Sequence, residues 1–562
     1  MKKFFLMSLL CVLLLCVLVS CGDGKTDTSE TDVNEKVVLY DTAGIHCRLA
    51  YPDQADSTVI SYVEQIQTDF KNITGVEPSA YAESKLPNDG CAVIYFGDTT
   101  AAAKENIISD TGYYNYSISV RNGNVYIYAM DKKVLTEALL KFSLNLQKYF
   151  VDGNLILDDT FAYEGTASAY KRLSNIPYFD NGIYHSTHDC DNGYEMILIE
   201  DADATEFNNY CEKIQSKGYT MTAENQMNGN LFRTYFNDKK IMLHTYFIEY
   251  AGEVRVIVAD DPAYCDTQKD DREQYQSLLV SVPLYGSEGG MGYIFRLGDG
   301  SFIIVDSGMT ADAEKIYGLL KHYAPDPQNI VISTWVITHG HADHVWGLIE
   351  FAKRYSNDPT ITVKSFMHNM CLTEEQTEFL DIDSWEATIT AIKTHYPSVP
   401  VYIPLTGQVY NFSNAQLEIF FTMPDYMPKT IQNEVDATPE DPLKGNGNIQ
   451  SLVFRISING KSVFIMADTT KECCDEMSRR FGSYLESDYV QMAHHGIEDT
   501  RPRAQNATKE IYGLIKPDYA LLPLCASKVA NTLNYNVNQY LVELLGGKDK
   551  VISAGDSAVV YF

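Results

Sequence analysis

Hydrophobic and polar positions follow three successive regimes along this chain. The first covers residues 37 to about 165. Val37-Val38-Leu39-Tyr40 is a short apolar run that reads as a strand. Val59, Ile60, Val63, Ile66, Phe70 and Ile73 recur at helical spacing, with Ser57 as the expected N-cap and Gly75 as the stop. Ala92-Val93-Ile94-Tyr95-Phe96 predicts a buried strand. Tyr116, Ile118 and Val120 alternate with polar positions, Asn122-Gly123 turns, and Val125, Ile127 and Ala129 alternate back, which predicts a β-hairpin. Leu135, Leu139, Leu140, Phe142 and Leu146 predict a second helix, and together these elements make an α/β unit.

The second regime, residues 170–260, predicts a small α+β module. Glu195 to Glu200 reads as a strand and Thr205 to Ser216 as a helix stopped by Gly218. Leu231 to Phe236, Ile241 to Glu249 and Val254 to Ala259 read as β-rich runs. His185, His188 and His244 are isolated and read as structural. The charged stretch Asp260 to Gln274, with Lys269-Asp270-Asp271-Arg272-Glu273 inside it, predicts a linker.

The third regime, residues 275–562, holds the densest chemistry. The β-branched run Ile330-Val331-Ile332-Ser333-Thr334-Trp335-Val336-Ile337 predicts a buried strand, and Val345-Trp346-Gly347-Leu348-Ile349 opens a helix. Between them stands Thr338-His339-Gly340-His341-Ala342-Asp343-His344. Imidazole nitrogens and a carboxylate are the donors that zinc, manganese or iron prefer. His339 and His341 can point one way and Asp343 and His344 another, so the spacing allows two metals. Histidine is scarce, 12 in 562 residues, and three of them in six positions at a strand end make an incidental polar loop a poor explanation.

Composition bounds the rest. With 45% apolar and 21% charged residues, the chain is globular and long enough for two or three domains. A formal charge of −31 argues against a nucleic-acid-coating surface, since phosphates would be repelled over most of it. The 39 tyrosines fit carbohydrate or polymer contact, and are also ordinary for β-rich domains. Residues 1–21 form a targeting segment: Lys2 and Lys3, then an apolar run from Phe4 to Val19. Leu18-Val19-Ser20-Cys21-Gly22 resembles a bacterial lipobox. That resemblance implies cleavage before Cys21, lipid on its thiol, and a polar tether over 22–36, placing the protein on the extracytoplasmic side of the cell membrane. Setting aside Cys11, Cys16 and Cys21 leaves nine of 12 cysteines, an odd number without metal-pair spacing, read as structural or incidental.

Further motifs in the third regime carry a family resemblance. Gly289-Gly290-Met291-Gly292-Tyr293-Ile294 precedes a strand, and Phe302-Ile303-Ile304-Val305 ends in Asp306-Ser307-Gly308. Val463-Phe464-Ile465-Met466-Ala467-Asp468 and Val490-Gln491-Met492-Ala493-His494-His495-Gly496 follow. With the histidine loop, these motifs resemble the metallo-β-lactamase fold superfamily, closest to the branch containing the extracellular domain of DNA-uptake competence proteins. The implied fold of 275–562 is a four-layer αβ/βα sandwich preceded by the two smaller modules. The first unit is similar, more weakly, to the accessory α/β domains of glycoside hydrolases.

The superfamily resemblance also implies roles. His339, His341 and Asp468 would hold one divalent ion and Asp343, His344, Asp468 and His495 a second, with Asp468 bridging. Zinc is the expected metal and manganese the alternative. Asp306 would orient the histidine loop, and a charged residue closing a buried strand, as Asp468 does, is costly unless a cation meets it. Asp343 and His494 are the candidate catalytic residues, His494 contacting substrate or supporting the ligands. Two departures stand out. No histidine occupies the family's position between loop and bridging aspartate; His368 and His395 lack a matching motif, and Asn448 stands nearby instead. Ala467 replaces a usual glycine, expected to be a minor change. Arg501 and Arg503 could meet a phosphate, or could simply be solvated.

These readings predict a membrane-anchored extracellular hydrolase that uses metal-activated water on a phosphodiester or other ester, with a carboxylic ester or lactone next. A β-lactamase proper is disfavoured, because Asp468 stands where cysteine would and the further histidine is missing. The competing reading is a surface polymer-binding lipoprotein with a weakened or structural metal site.

Overall fold

A computed structural model describes residues 36–107, 114–166, 172–173, 176–265, 268–283, 290–370, 382–426, 447–497, 507–554 and 558–562. Residues 1–35 with Cys21, as well as Gly289, Arg501 and Arg503, lie outside the described residues. Among those described, no helix is long and apolar enough to cross a membrane.

In the first unit a six-stranded sheet runs in the order Tyr163–Thr166, Asn115–Arg121, Asn124–Ala129, Ala92–Phe96, Cys47–Tyr51, Ala80–Ala82. Helices Ser57–Thr74 and Lys132–Leu146 cover it through Val63, Ile66, Phe70, Leu135, Leu139 and Phe142. Asp56, not Ser57, caps the first helix: its carboxylate accepts the amide protons of Thr58 and Val59. Ser57 is the first helical residue, because the ionised acceptor one position earlier outcompetes a hydroxyl. Asn122 and Gly123 both take positive φ, +50° and +73°, as a two-residue hairpin turn of the I′ type requires.

The second module is a six-stranded antiparallel sheet ordered Ile183–Asp189, Tyr194–Glu200, Glu253–Asp260, Ile241–Ile248, Asn230–Phe236, Thr220–Met227. Both its faces are buried. Ile197, Leu243, Phe247, Val254 and Val256 pack with helix Ala204–Ser216 and the first unit. Met196, Phe232, Met242, Tyr246 and Ile257 pack on Leu405, Phe420, Phe421 and Tyr426 of the third regime. The near-continuous apolar run at Ile241–Ile248 is the sequence counterpart of this two-sided burial.

Among its described residues, the charged stretch after Asp260 forms neither helix nor strand, but it is held in place. The Asp270 amide donates to the Ser413 carbonyl at 2.8 Å, those of Gln274 and Tyr275 donate to Gly298 at 2.8 and 2.9 Å, and Cys265 is buried. It straps the module to the next domain, a role that charge-rich composition conceals.

The C-terminal half is a sandwich of two sheets. One has eight strands, with Val401–Tyr402, Phe366–Met367, Ile330–Val336, Phe302–Asp306, Gly292–Arg296, Leu278–Ser281 and Val559–Tyr561 in order and Ile361–Val363 beside Ile330–Val336. The other runs Val409–Phe412, Ala415–Phe421, Val453–Ile458, Lys461–Ile465, Tyr489–Gln491, Tyr519–Leu522, Val551–Ser553. Phe295, Ile303 and Val305 meet Leu417, Phe454, Ile456 and Ile465 between the sheets. Helices Asp312–Tyr323, Ala342–Tyr355 and Ile382–His395 cover one outer face, and Lys471–Phe481, Lys509–Ile515 and Asn536–Leu545 cover the other. The result is four layers, αβ/βα. Phe302–Asp306 runs parallel to Ile330–Val336, and Lys461–Ile465, Tyr489–Gln491 and Tyr519–Leu522 are mutually parallel. Their carboxyl ends gather at one edge, where parallel sheets commonly place ligand-binding loops.

A buried polar network joins the second module to this sandwich. Asp425 pairs with Arg480 and accepts from Thr406 and from Tyr246 Oη, the last at 2.9 Å. Arg480 Nε also reaches Glu476 Oε1 at 2.8 Å, and Arg255 donates to the Pro424 carbonyl at 2.7 Å. Burial pushes the Asp425 carboxyl up, but Arg480 and Arg255 outweigh it and hold the group below its ordinary value. A carboxyl lowered in the folded state stabilises above its unfolded pKa, about 4, and loses that contribution as pH falls toward the folded value. Asp425→Asn is therefore expected to cost on the order of 3 kcal/mol at neutral pH, because Arg480 stays buried with half its charge partners. Urea unfolding across pH 3 to 7 checks this: the variant's stability should fall less steeply below about pH 4 than that of the wild type.

Candidate metal centre

Asp306 ends its strand at φ +53°, a left-handed conformation that an aspartate can adopt but does not favour. Trp335 Nε1 donates to its carbonyl at 3.1 Å and fixes the turn. The carboxylate is buried and fully engaged. Oδ1 accepts the Thr338 amide at 2.8 Å, and Oδ2 accepts the Thr338 hydroxyl at 2.7 Å and His344 Nδ1 at 2.7 Å. Having donated its proton to Asp306, the Thr338 hydroxyl is left to accept from His339 Nδ1, 3.1 Å away. One carboxylate thus sets two imidazoles, directly and through a hydroxyl.

His495 is set independently, its Nδ1 lying 2.9 Å from the Pro523 carbonyl, which can only accept. All three rings therefore spend their outer nitrogen as a donor and turn Nε2 inward, free to meet a cation or a proton. His344 Nε2 lies 3.4 Å from His495 Nε2 and 3.3 Å from Asp468 Oδ1. His339 Nε2 lies 3.2 Å from His341 Nδ1 and 3.7 Å from Asp468 Oδ2. Asp343 Oδ2 sits 3.1 Å from His495 Nε2. Lone pairs facing one another at these distances repel unless positive charge lies between them. The donors form two groups, His339, His341 and Asp468, and Asp343, His344 and His495.

The electrostatics agree. Burial holds His339 far below the usual imidazole range, so it is neutral, as a ligand must be. Burial also opposes charge on His344 and His495, but Asp468, with Asp306 on one ring and Asp343 on the other, overrides it; His495 is pushed up to about 10. Burial works against the Asp468 and Asp343 charges too, yet the surrounding imidazoles hold both carboxyls well below their ordinary range. The cavity draws in cationic charge. Divalent ions fit it, and this donor set of imidazole and carboxylate suits zinc, manganese or iron.

The second sheet brings its ligands in on strained backbone. Ala467, His494 and His495 have φ of +50°, +48° and +54°. Gln491, fully buried, ties the two strand ends: Oε1 accepts the Met466 amide at 2.9 Å and Nε2 donates to the Ala467 carbonyl at 3.1 Å. The expectation that Ala467 in place of glycine is minor needs correction, because the position lies in the region where glycine is favoured.

His494 lies at the mouth, partly exposed, with Nε2 3.8 Å from Asp468 Oδ2. Asn448 is buried in the turn Gly447–Gln450, and a Cβ on Gly447 would come within 2.8 Å of His341 Nε2. Any larger residue there would press on the His341 ring and shift it. His368 does not replace the missing histidine: it stacks edge-on against Trp385, and burial pushes it down to about 3. His395 ends an outer helix beside Ser356. Among the described residues no further histidine, cysteine or acid joins the first group. The eight described cysteines are free.

Four further residues build the site: Thr338, Gln491, Pro523 and Gly347. Thr338, directly before His339 at a strand end, was the one readable signal. Pro523 acts through its carbonyl, which no residue type announces. Gly347 is needed because a Cβ there would lie 2.0 Å from the Ser307 carbonyl, and the helix could not seat on the Asp306 turn.

Residues 288–409 match the Metallo-beta-lactamase superfamily model. No curated protein matches the chain. Solved structures similar to it include CmlA, a diiron β-hydroxylase from Streptomyces venezuelae, at 14% identity over 53% of this chain and TM-score 0.30. The chain covers 55% of that protein's length. Zn(2+)-bound PqqB from Methylobacterium extorquens is 9% identical over 50% of this chain and 99% of its own, TM-score 0.31. A metallo-β-lactamase from Cronobacter sakazakii is 13% identical over 48% and 82%, TM-score 0.24. Residues 288–409 are thus a metallo-β-lactamase superfamily domain, and the sandwich that contains them carries two groups of side chains suited to divalent metals.

Two outcomes follow. Purified protein should hold two equivalents of metal by elemental analysis, His341→Ala about one, and Asp468→Ala close to none, since Asp468 reaches both groups. Ala467→Gly should raise stability by up to about 1 kcal/mol in urea unfolding by relieving the left-handed alanine.

Proposed function

We propose that the chain is a metal-dependent hydrolase of ester linkages, with a phosphodiester as the favoured substrate and a carboxylic ester or lactone as the next. One observation carries this reading. The buried Asp468 carboxylate lies 3.3 to 3.8 Å from nitrogens of His339, His344, His494 and His495, between two groups of metal donors. Bound divalent ions, zinc first, supply acidified water and a Lewis acid for the substrate oxygen.

The chain's own residues do the rest. Asp306 and Thr338 fix which nitrogen each imidazole offers, and the Pro523 carbonyl does the same for His495. Asp343, the more exposed carboxylate, can accept a proton at Oδ2. His494, at the mouth, can contact the substrate and hand a proton from Nε2 to the leaving oxygen. The sequence offers no serine or cysteine nucleophile paired with a base, and water activation makes one unnecessary.

We further propose that lipid on Cys21 anchors the protein to the extracytoplasmic face of the cell membrane. Its substrate would then be an ester-linked molecule or polymer outside the cell, with cell-wall or carbohydrate polymer as a contact. The formal charge of −31 supports a substrate other than bulk nucleic acid.

Zinc- or manganese-loaded protein should turn over bis(p-nitrophenyl) phosphate faster than p-nitrophenyl acetate, and Asp343→Ala should lower that rate by a factor on the order of 100 or more. Stoichiometric metal without turnover of any ester would overturn the reading and favour a polymer-binding surface protein.

A further inference from the structure

Trp346 stands one turn after Asp343 on the helix Ala342–Tyr355, which starts in the metal-binding loop. Side chains three apart on a helix begin about 5–6 Å from each other. Helical side chains also lean toward the helix N-terminus, so this indole leans toward the metal-binding edge. It is 40% exposed, while Trp335 and Trp385, the chain's other tryptophans, are buried. Its position is nevertheless fixed, because Nε1 donates to Ser384 Oγ on the neighbouring helix at 3.1 Å.

The indole forms part of a groove of about 320 Å³ lined by Thr310, Trp346, Ile349, Glu350, Lys353 and Ala387. That size falls at the lower end of small-molecule sites, about 300–1,000 Å³. Trp346, Ile349 and Ala387 supply apolar surface. Thr310, Glu350 and Lys353 supply a hydroxyl, a carboxylate and an ammonium around it. Glu350 pairs with Arg354 at 2.6 Å and Arg354 also reaches Glu314 at 3.9 Å, so with Lys353 the acids and bases here balance. An apolar platform with a charge-balanced polar rim suits a neutral ring that has one C–H face and hydroxyls at its periphery. A pyranose is such a ring. A phosphate-dense strand is disfavoured by the chain's overall charge.

We propose that this groove is a subsite for a pyranose ring of the substrate, stacked on Trp346 beside the metal-binding edge. It rests on the hydrolase reading for its purpose, which is to hold a sugar next to the ester being cleaved. Sugar binding itself needs no turnover.

Chitotetraose is titrated into the purified full chain and followed by calorimetry and by tryptophan emission. Wild type and Asp343→Ala should bind it equally, with a shift in emission. Trp346→Ala should bind about tenfold more weakly by calorimetry, and Trp346→Phe, which keeps an aromatic face, should stay within about threefold of wild type. Sugar binding without turnover of any ester would count against the hydrolase while still supporting the subsite. The proposal is overturned if wild type does not bind at millimolar sugar, if Trp346→Ala binds as wild type does, or if tetrathymidylate replaces the sugar with the same dependence on Trp346.

Discussion

The buried carboxylate of Asp306 is the interaction on which the functional edge depends. It touches no proposed metal position, yet it sets the loop amide through Thr338, one imidazole directly and a second through the Thr338 hydroxyl. Burial raises its pKa, and His344 with the two Thr338 donors pulls it back. A bare carboxylate in that place would be costly. Fully satisfied, it makes the orientation of two rings a single cooperative choice rather than two independent ones. Removing it would release both rings at once, along with the strand end that carries them.

The site also depends on packing well away from it. The second module shares one apolar cluster with the outer layer of the sandwich, and Asp425 and Arg480 lie inside that junction. The hairpin turn of the module reaches further, since Asn192 donates to the Met370 carbonyl at 3.0 Å, and Met370 packs near Gly340 of the histidine loop. The module is therefore part of the surroundings of the metal-binding edge. His244 illustrates the change of view. Isolated in sequence, it is buried between Thr234 and the Thr406 carbonyl, across the junction, and burial pushes it down to about 4.

What the sequence made legible follows from how each feature is encoded. The histidine loop was readable because four donors fall within six consecutive residues at a strand end. Asp468 and His495 were readable because each ends an apolar run, and a charge in such a place needs a reason. The strand Cys47–Tyr51, next to the edge of its sheet, went unnoticed because Arg48 interrupts a five-residue run. The stretch Asp260 to Gln274 does link two units, but the backbone amides that strap it down are not registered by composition. Trp346 read as one more apolar position in a helix. Its exposure and the groove beside it distinguish it from the core tryptophans.

The backbone at the metal-binding edge shows why such a fold has to be large. Asp306, Ala467, His494 and His495 are four non-glycine residues at positive φ within one edge, each costing on the order of 1 kcal/mol relative to relaxed backbone. Local contacts alone would not hold them there. Cross-bonds do: the His494 amide to the Ala467 carbonyl at 2.9 Å, the Ile497 amide to the His494 carbonyl at 2.8 Å, and the buried Gln491 between the strand ends. These bonds persist because the strands beneath them are locked into cores on both faces of both sheets. Two parallel runs in separate sheets can then aim six ligands at one space, although each run alone would relax away from it. The strain is stored where the cation charge would act, so metal binding and the rigidity of the sandwich stabilise the same conformation.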